Sequence, residues 1–454
     1  MRGKGKNFLR AAAAAWLALL LLAGTACAEA PDSEGSEEAP SLYDDPQDVR
    51  ECGDYEYIVL PDGTAGIVQF YGPGDSIAVP AELDGLPVTE IGDSAFEDNR
   101  GMVTLSVPEG VRAIRDYAFS GCIRLSSVSL PDSLAVLGAG AFQKTSGLEE
   151  LVLPDGITEI DGATFTFSGL KRITLPAGLR RIGAQAFQQS ELETVTIPEG
   201  TEEILNLAFC DCAELKEVIL PDSLASVEGN PFMDCPLISF TFSESHPYLE
   251  LKDGVLFSRP DARLICYPDS LEADTYAIPE GTRIIGYGAL RHIREITIPD
   301  GVTAIDDYAF GSSSLTSVTI PDSVAVLGNG VFRLCAQLTG VTLPAGITQI
   351  PGMTFDGCSA LASLTVPEGV TSIGPNAFRY CRGLKEAVLP ESLEEIGKYA
   401  FCGCRSLESL SLPAQVAQIG PYAFKDCGAL TVSVVKGSFA HTWCMENRVP
   451  WLYE

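Results

Sequence analysis

Aligned on its Ala-Phe pairs, the chain repeats itself every 22 or 23 residues: Phe96, Phe119, Phe142, Phe187 and Phe209 set the beat, and Phe310, Phe378, Phe401 and Phe424 keep it. Phe165, Phe232, Phe332 and Phe355 share the register after Thr, Pro or Val. A second marker runs in phase, with prolines at 108, 131, 154, 176, 198 and 221, then at 299, 321, 344, 367, 390 and 413. A unit this short cannot hide its own apolar face and must stack on a copy of itself. About fourteen turns of about 23 residues are expected. Length alone, 454 residues, would suggest several globular domains, but a repeat running along the chain replaces them with one column.

Residues 125–142 show how one unit works. Leu125, Val128 and Leu130 follow a Leu-x-x-Leu-x-Leu spacing whose last three residues alternate as a short strand does. Pro131 ends the strand, Leu134 and Leu137 make a second apolar step, and Gly138 permits a corner before Ala141 and Phe142. Stacked copies place their strands side by side in one parallel sheet, about 4.8 Å apart. Hydrophobic residues make up 46% of the chain, enough to fill such a core and to exclude wholesale disorder.

Units such as residues 384–401, LKEAVLPESLEEIGKYAF, resemble the BspA-like class of leucine-rich repeats found on bacterial and some protozoan surface proteins. The resemblance covers residues from about 55 to 454 and recurs over a dozen times. It implies a right-handed solenoid, extracellular placement and a role in adhesion or protein recognition. Members of the class differ widely in ligand, so it transfers none. The expected fold is a repeat solenoid with a parallel β-sheet on one face, mostly short strands and loops, a β-hairpin insertion and a small C-terminal helical cap.

Interruptions in the beat divide the chain. Arg2, Lys4, Lys6 and Arg10, the apolar run 11–23 and the small residues Gly24, Thr25 and Ala26 read as a secretory signal peptide over 1–26. The run falls short of the about 20 apolar residues a membrane span needs. Cys27 then resembles the lipid-attachment cysteine of bacterial lipoproteins, although Gly24 stands where Leu is usual and the nearest Leu is Leu22. Ordinary cleavage after Ala28, with Ala26 and Ala28 as the small pair, reads equally well. Residues 27–52 are rich in Asp, Glu, Ser and Pro and read as an acidic disordered tether. A β cap is expected over 53–80, with a hairpin turning at Asp62-Gly63. Repeat block 1 spans 81–235 and block 2 spans 279–430. Between them, 236–278 holds apolar alternation around Asp253-Gly254 and reads as a β-hairpin. Its stretch DGVLFSRPDARLICYP resembles an insertion common in the class. Residues 431–454 form a C-terminal cap, with Phe439 and Trp443 at helical spacing and Trp451 and Leu452 beyond.

Charge limits the partners. Thirty basic against sixty-one acidic residues give −31; residues 1–26 contain four of the basic side chains and no acidic one, so the chain without them carries −35. Such a chain repels nucleic acid and anionic membranes, which bind through phosphate neutralisation. The acidic residues read as a solubilising surface, with calcium or a basic partner as alternatives. No cofactor is expected, membrane contact is limited to a lipid at Cys27, and a monomer is expected.

Little in the chain suggests catalysis. His246, His292 and His441 are scattered with no thiol or carboxylate motif around them. Of fourteen cysteines, eight (Cys122, Cys212, Cys235, Cys335, Cys358, Cys381, Cys404 and Cys427) sit three residues after the repeat phenylalanine. That regularity reads as a small, mildly apolar core position. Neighbouring cysteines would stand about 5 Å apart, within bridging range, yet parallel side chains seldom meet the disulfide dihedral, so bridges are not predicted. Cys210 with Cys212 and Cys402 with Cys404 lack zinc-knuckle spacing and a histidine partner. Neighbouring carboxylates, Glu149 with Glu150, Glu202 with Glu203 and Glu394 with Glu395, read as solvated rather than as acid/base pairs.

A ligand would meet the outward x positions of Leu-x-x-Leu-x-Leu. Block 1 offers Glu149 and Glu150, Lys171 and Arg172, Glu193 and Thr194, then Lys216 and Glu217, a strip of mixed charge. Block 2 offers Thr316, Ser317 and Thr319, then Thr339 and Thr342, then Ser363 and Thr365, a hydroxyl ladder. These faces point to a non-catalytic protein-binding or adhesion surface, secreted or attached to a bacterial cell. A structural spacer or coat module is one alternative. A glycan-binding module is another, weakened because the ladder lacks stacked exposed aromatics.

Overall fold

A computed structural model describes residue 43 and residues 48–236, 239–271 and 274–454. The signal segment, Cys27 and the acidic segment up to residue 42 lie outside the described residues.

Each turn of the coil stacks on the next through three ladders. Strands of mostly three residues form the wide one: Glu150–Val152 pairs in parallel with Arg172–Thr174, and Thr194–Thr196 with Glu217–Ile219. Two-residue strands form a narrow one, in which Glu159–Ile160, Arg181–Ile182, Glu203–Ile204 and Ser226–Val227 succeed one another in register. The third runs along the Ala-Phe loops, where the N–H of Phe119 donates to the Ala141 carbonyl at 2.8 Å and that of Phe142 to Thr164 at 2.9 Å. Each loop is tight because residues on both sides of the phenylalanine take positive φ, as Gln185 (59°) and Gln189 (54°) do around Phe187.

Inside the coil the phenylalanines stack ring on ring. Phe119 and Phe142 lie 5.3 Å apart between centroids, Phe142 and Phe165 5.9 Å, and Phe187 and Phe209 5.1 Å, with the stack resuming at Phe310 and Phe332. Burying each ring contributes about 1.5–3 kcal/mol. The coil has about seventeen turns rather than fourteen. The additional wide-ladder rungs, Ser239–Thr241, Thr431–Val434 and Trp451–Tyr453, pair by backbone and carry no Ala-Phe marker.

The insertion is more than a hairpin. Leu249–Lys252, Val255–Ser258 and Arg263–Cys266 form three antiparallel strands, and the third rejoins the narrow ladder in parallel with Ile284–Ile285. Both faces are buried. Leu256, Ile265 and Cys266 pack into the core of the earlier turns, whereas Val255, Phe257 and Leu264 pack into that of the later ones. The insertion is thus a septum with an apolar core on each side. Beside it, the Asn230 amide donates to the Gly288 carbonyl at 3.2 Å and Arg291 meets the Asp234 carboxylate at 2.9 Å, tying the blocks together.

At the front, Arg50–Cys52, Tyr55–Val59 and Ala65–Phe70 form an antiparallel cap, so the end of the segment read as tether is a strand. Tyr43, in the same segment, is buried and its hydroxyl donates to Glu90 at 3.2 Å. Gly66 and Gly92 make its slot, since a Cβ at either would collide with the tyrosine. At the back, the helix Phe439–Asn447 is capped by Ser438, whose hydroxyl accepts the His441 N–H at 3.2 Å. Trp443 stands edge-on to Phe424, 5.8 Å between ring centres, and closes the stack. Phe439 does not join it; that ring is 44% exposed because the helix turns Ala440 and Cys444 inward instead.

Candidate interaction surface

The wide ladder places every outward candidate of block 1 on one exposed or half-exposed strip. Because the turns repeat at 22 residues there, opposite charges meet across rungs: Lys171 Nζ lies 2.9 Å from the Glu149 carboxylate, and Arg172 bonds Glu150. Those carboxylates raise the pKa of both basic groups. Farther along, the Thr241 hydroxyl donates to Glu217 at 3.2 Å. Exposed pairs of this kind add little to stability and exchange readily for a partner's charges.

Two residues of this strip are absent from the sequence-derived set. Val152 is 67% exposed opposite Thr174, and Ile219 is exposed opposite Thr196. An apolar residue at the last x of Leu-x-x-Leu-x-Leu is the sequence signal for both. Beside the strip, an open recess of about 520 Å³ is bordered by Lys171, Gln189, Glu191, Glu193 and Asp211. Burial raises the Asp211 pKa, while Gln189 donates to its carboxylate at 2.5 Å.

The hydroxyl ladder is less continuous than its spacing implies. Thr319 stands opposite Thr342, but Ser317 faces Gly340, and Ser363 and Thr365 face Glu386 and Val388. The Thr339 hydroxyl donates to the Thr316 carbonyl at 2.9 Å, which commits it to the coil.

Several other candidates for chemistry make contacts between turns. Glu202 and Glu203 pair with Arg180 and Arg181 at 3.0 and 3.1 Å. Buried His246 accepts the N–H groups of Tyr248 and Leu249 at Nδ1, which leaves Nε2 to donate to the Pro221 carbonyl at 2.9 Å. The cysteines have a more specific role than apolar filling. Cys335 and Cys381 each donate to the carbonyl of the repeat phenylalanine one turn earlier, Phe310 and Phe355, at 3.0 Å. Asn99, Thr145, Ser168, Ser190 and Ser313 hold the same position in other turns; Thr145 donates instead to the Phe142 carbonyl of its own turn at 2.7 Å and the Ser168 hydroxyl has no partner among the described residues, so what the address keeps is a small side chain. Burial pushes the Cys122 thiol up to about 12 and that of Cys335 to about 11. Both should resist a thiol reagent at pH 7, and the partly exposed Cys52 and Cys427 should be labelled first. Peptide mapping after timed labelling checks this; early labelling of Cys335 would contradict it.

Among the described residues, no helix is long and apolar enough to cross a membrane. A family model described as BspA type leucine-rich repeat region matches residues 89–216, 180–252, 266–385 and 348–441. The gap between 252 and 266 falls on the septum. A leucine-rich repeat protein from Eubacterium ventriosum is similar in structure, with a TM-score of 0.60 at 22% identity, covering 82% of this chain and 92% of its own. A leucine-rich cell surface protein from Faecalibacterium prausnitzii has a TM-score of 0.52 at 25% identity, covering 88% of this chain and 97% of its own. No curated protein sequence matches the chain.

Proposed function

The chain belongs to the BspA-type leucine-rich repeat family, and from that premise we propose that it is exported and acts as a non-catalytic protein-recognition or adhesion module on a bacterial surface. The observation that supports this reading best is the block 1 strip, where Glu149 with Lys171 and Glu150 with Arg172 alternate in sign beside exposed Val152. Alternating charges give orientation and the apolar positions give contact area, a combination suited to a protein face. The partner's charges replace ion pairs already formed between rungs. Cys27 as a lipid anchor belongs to the same proposal, and incorporation of a fatty-acid probe that is lost in Cys27→Ala tests it.

Reversing charge at Lys171 and Arg172 together should weaken partner capture at least about tenfold while leaving the chain folded, because exposed pairs of this kind add little to stability. Pull-down from candidate host or bacterial surfaces, paired with thermal melts, reads both. Unchanged capture by the double variant would exclude this strip. A spacer or coat role would instead leave every surface phenotype intact when the strip is scrambled.

A further inference from the structure

The turns around Phe378, Phe401 and Phe424 differ in charge from those before them. On the Ala-Phe edge the earlier turns carry Asp98, Asp116, Asp211 and Asp234 near the phenylalanine, with single cations such as Arg100, Arg124 and Lys144 among them. Here the same edge carries Arg382, Lys398, Arg405 and Lys425, all exposed, with Asp426 beside them. None of the four is ion-paired among the described residues. Tyrosines lie between them. The rings of Tyr399 and Tyr422 stack at 5.1 Å and 14°, Lys398 lies 5.1 Å from the Tyr399 ring, and Lys425 lies 5.6 Å from that of Tyr422. Arg379, which is paired with Asp356, and Arg382 are 5.3 and 6.0 Å from the ring of Tyr380, which is 46% exposed.

Packing explains other tyrosines on this edge but not Tyr422. Tyr117, Tyr308 and Tyr380 cover Gly140, Gly330 and Gly403 of the next turn, Tyr380 with part of its ring still exposed. Beyond Tyr422 the next rung leads into the terminal helix, and its side chain is 57% exposed. The aromatic pair missing from the wide ladder is therefore present on a different side of the coil.

We propose that this edge binds an acidic polysaccharide, its carboxylate or sulfate groups taken by Arg382, Lys398, Arg405 and Lys425 and its sugar rings lying against Tyr380 and Tyr422. Arg382 and Arg405 hold the same address on successive turns, about 4.8 Å apart, and Lys398 and Lys425 flank the tyrosines beside them, so the edge offers several cations to successive units of a polymer. Flat aromatic faces among the charges suit a ligand whose anionic groups alternate with apolar C–H faces, which an acidic peptide lacks. The net charge of −31 repels a polyanion everywhere else. Contact is thereby confined to a few turns, and short oligomers suffice.

The full chain is immobilised and titrated with oligogalacturonate and with heparin-derived oligosaccharide, which separate the carboxylate source from the sulfate source. Poly-glutamate, oligothymidylate and neutral dextran are the comparisons. The expected result is salt-sensitive binding of at least one anionic oligosaccharide, with a hexamer binding about as tightly as a longer chain. Lys398→Glu with Lys425→Glu should abolish it. Tyr422→Ala should weaken it roughly tenfold at unchanged melting temperature, and Lys171→Glu with Arg172→Glu should leave it intact. Absence of binding to both sugars would overturn the proposal. So would equally tight binding of poly-glutamate or oligothymidylate that ignores Tyr422→Ala, because the edge would then be a general polyanion contact.

Discussion

Phe165→Ala is expected to lower the stability of the coil by about 3–5 kcal/mol, with the damage concentrated in the turns on either side. The ring is fully buried, 5.9 Å from Phe142 and 5.2 Å from Phe187. Removing it empties one layer of a column whose backbone ladders hold the neighbouring layers apart, so the gap closes only in part. Coupling in a solenoid is between nearest neighbours. Amide exchange should therefore accelerate first around Phe142 and Phe187, while the turns from Phe378 to Phe424 keep wild-type protection. Phe424→Ala should cost less, since that ring has one stacked phenylalanine, Phe401, and is otherwise covered edge-on by Trp443. Urea denaturation with exchange read by mass spectrometry checks both variants. Equal loss of protection in every turn would show that the column does not respond locally.

Leu256→Asp should be more disruptive still, because it places a carboxylate with no partner at a fully buried position on the block 1 face of the septum. An unpaired charge there is costly, above about 4 kcal/mol. The neighbouring Val255 and Phe257 face the other core, so the two blocks should respond unequally. Turns from Phe187 to Phe232 should open at lower denaturant than those from Phe310 onward, turning one transition into two. Leu251→Asp, on the same hairpin but 40% exposed, is the matched control and should change little. A single transition shifted uniformly would mean that the septum does not separate the cores.

The parts legible in the sequence are those repeated at one address in every turn. Phe96 to Phe424 mark the core column because each ring must be buried, and alternation around residues 148–153 already places Leu151 inward and Glu150 outward. The rungs at Ser239–Thr241 and Thr431–Val434 escape a count of markers because the septum and the helix follow them in place of Ala-Phe loops, and Trp451–Tyr453 carries no such marker. The two-sided burial of the septum has a signal, three consecutive apolar residues at 255–257, which is how a strand covered on both faces reads. The cysteines are buried as their regular address implies, but the bonds that Cys335 and Cys381 give to the preceding phenylalanine carbonyls have no sequence signal, since Thr145 and Ser168 at the same address do not repeat them. On the interaction strip, the pairing of Glu149 with Lys171 is implicit in their spacing of one turn. The exposure of Tyr422 has no such signal, since it depends on the terminal helix replacing the next Ala-Phe loop rather than on the period.

The most direct test of the recognition face is amide hydrogen exchange of the chain with and without a captured partner. Protection is predicted along the wide ladder at residues 149–152, 171–174, 193–196 and 216–219. Protection confined to the Ala-Phe edge or the caps, with those four segments exchanging as in the free protein, would contradict it.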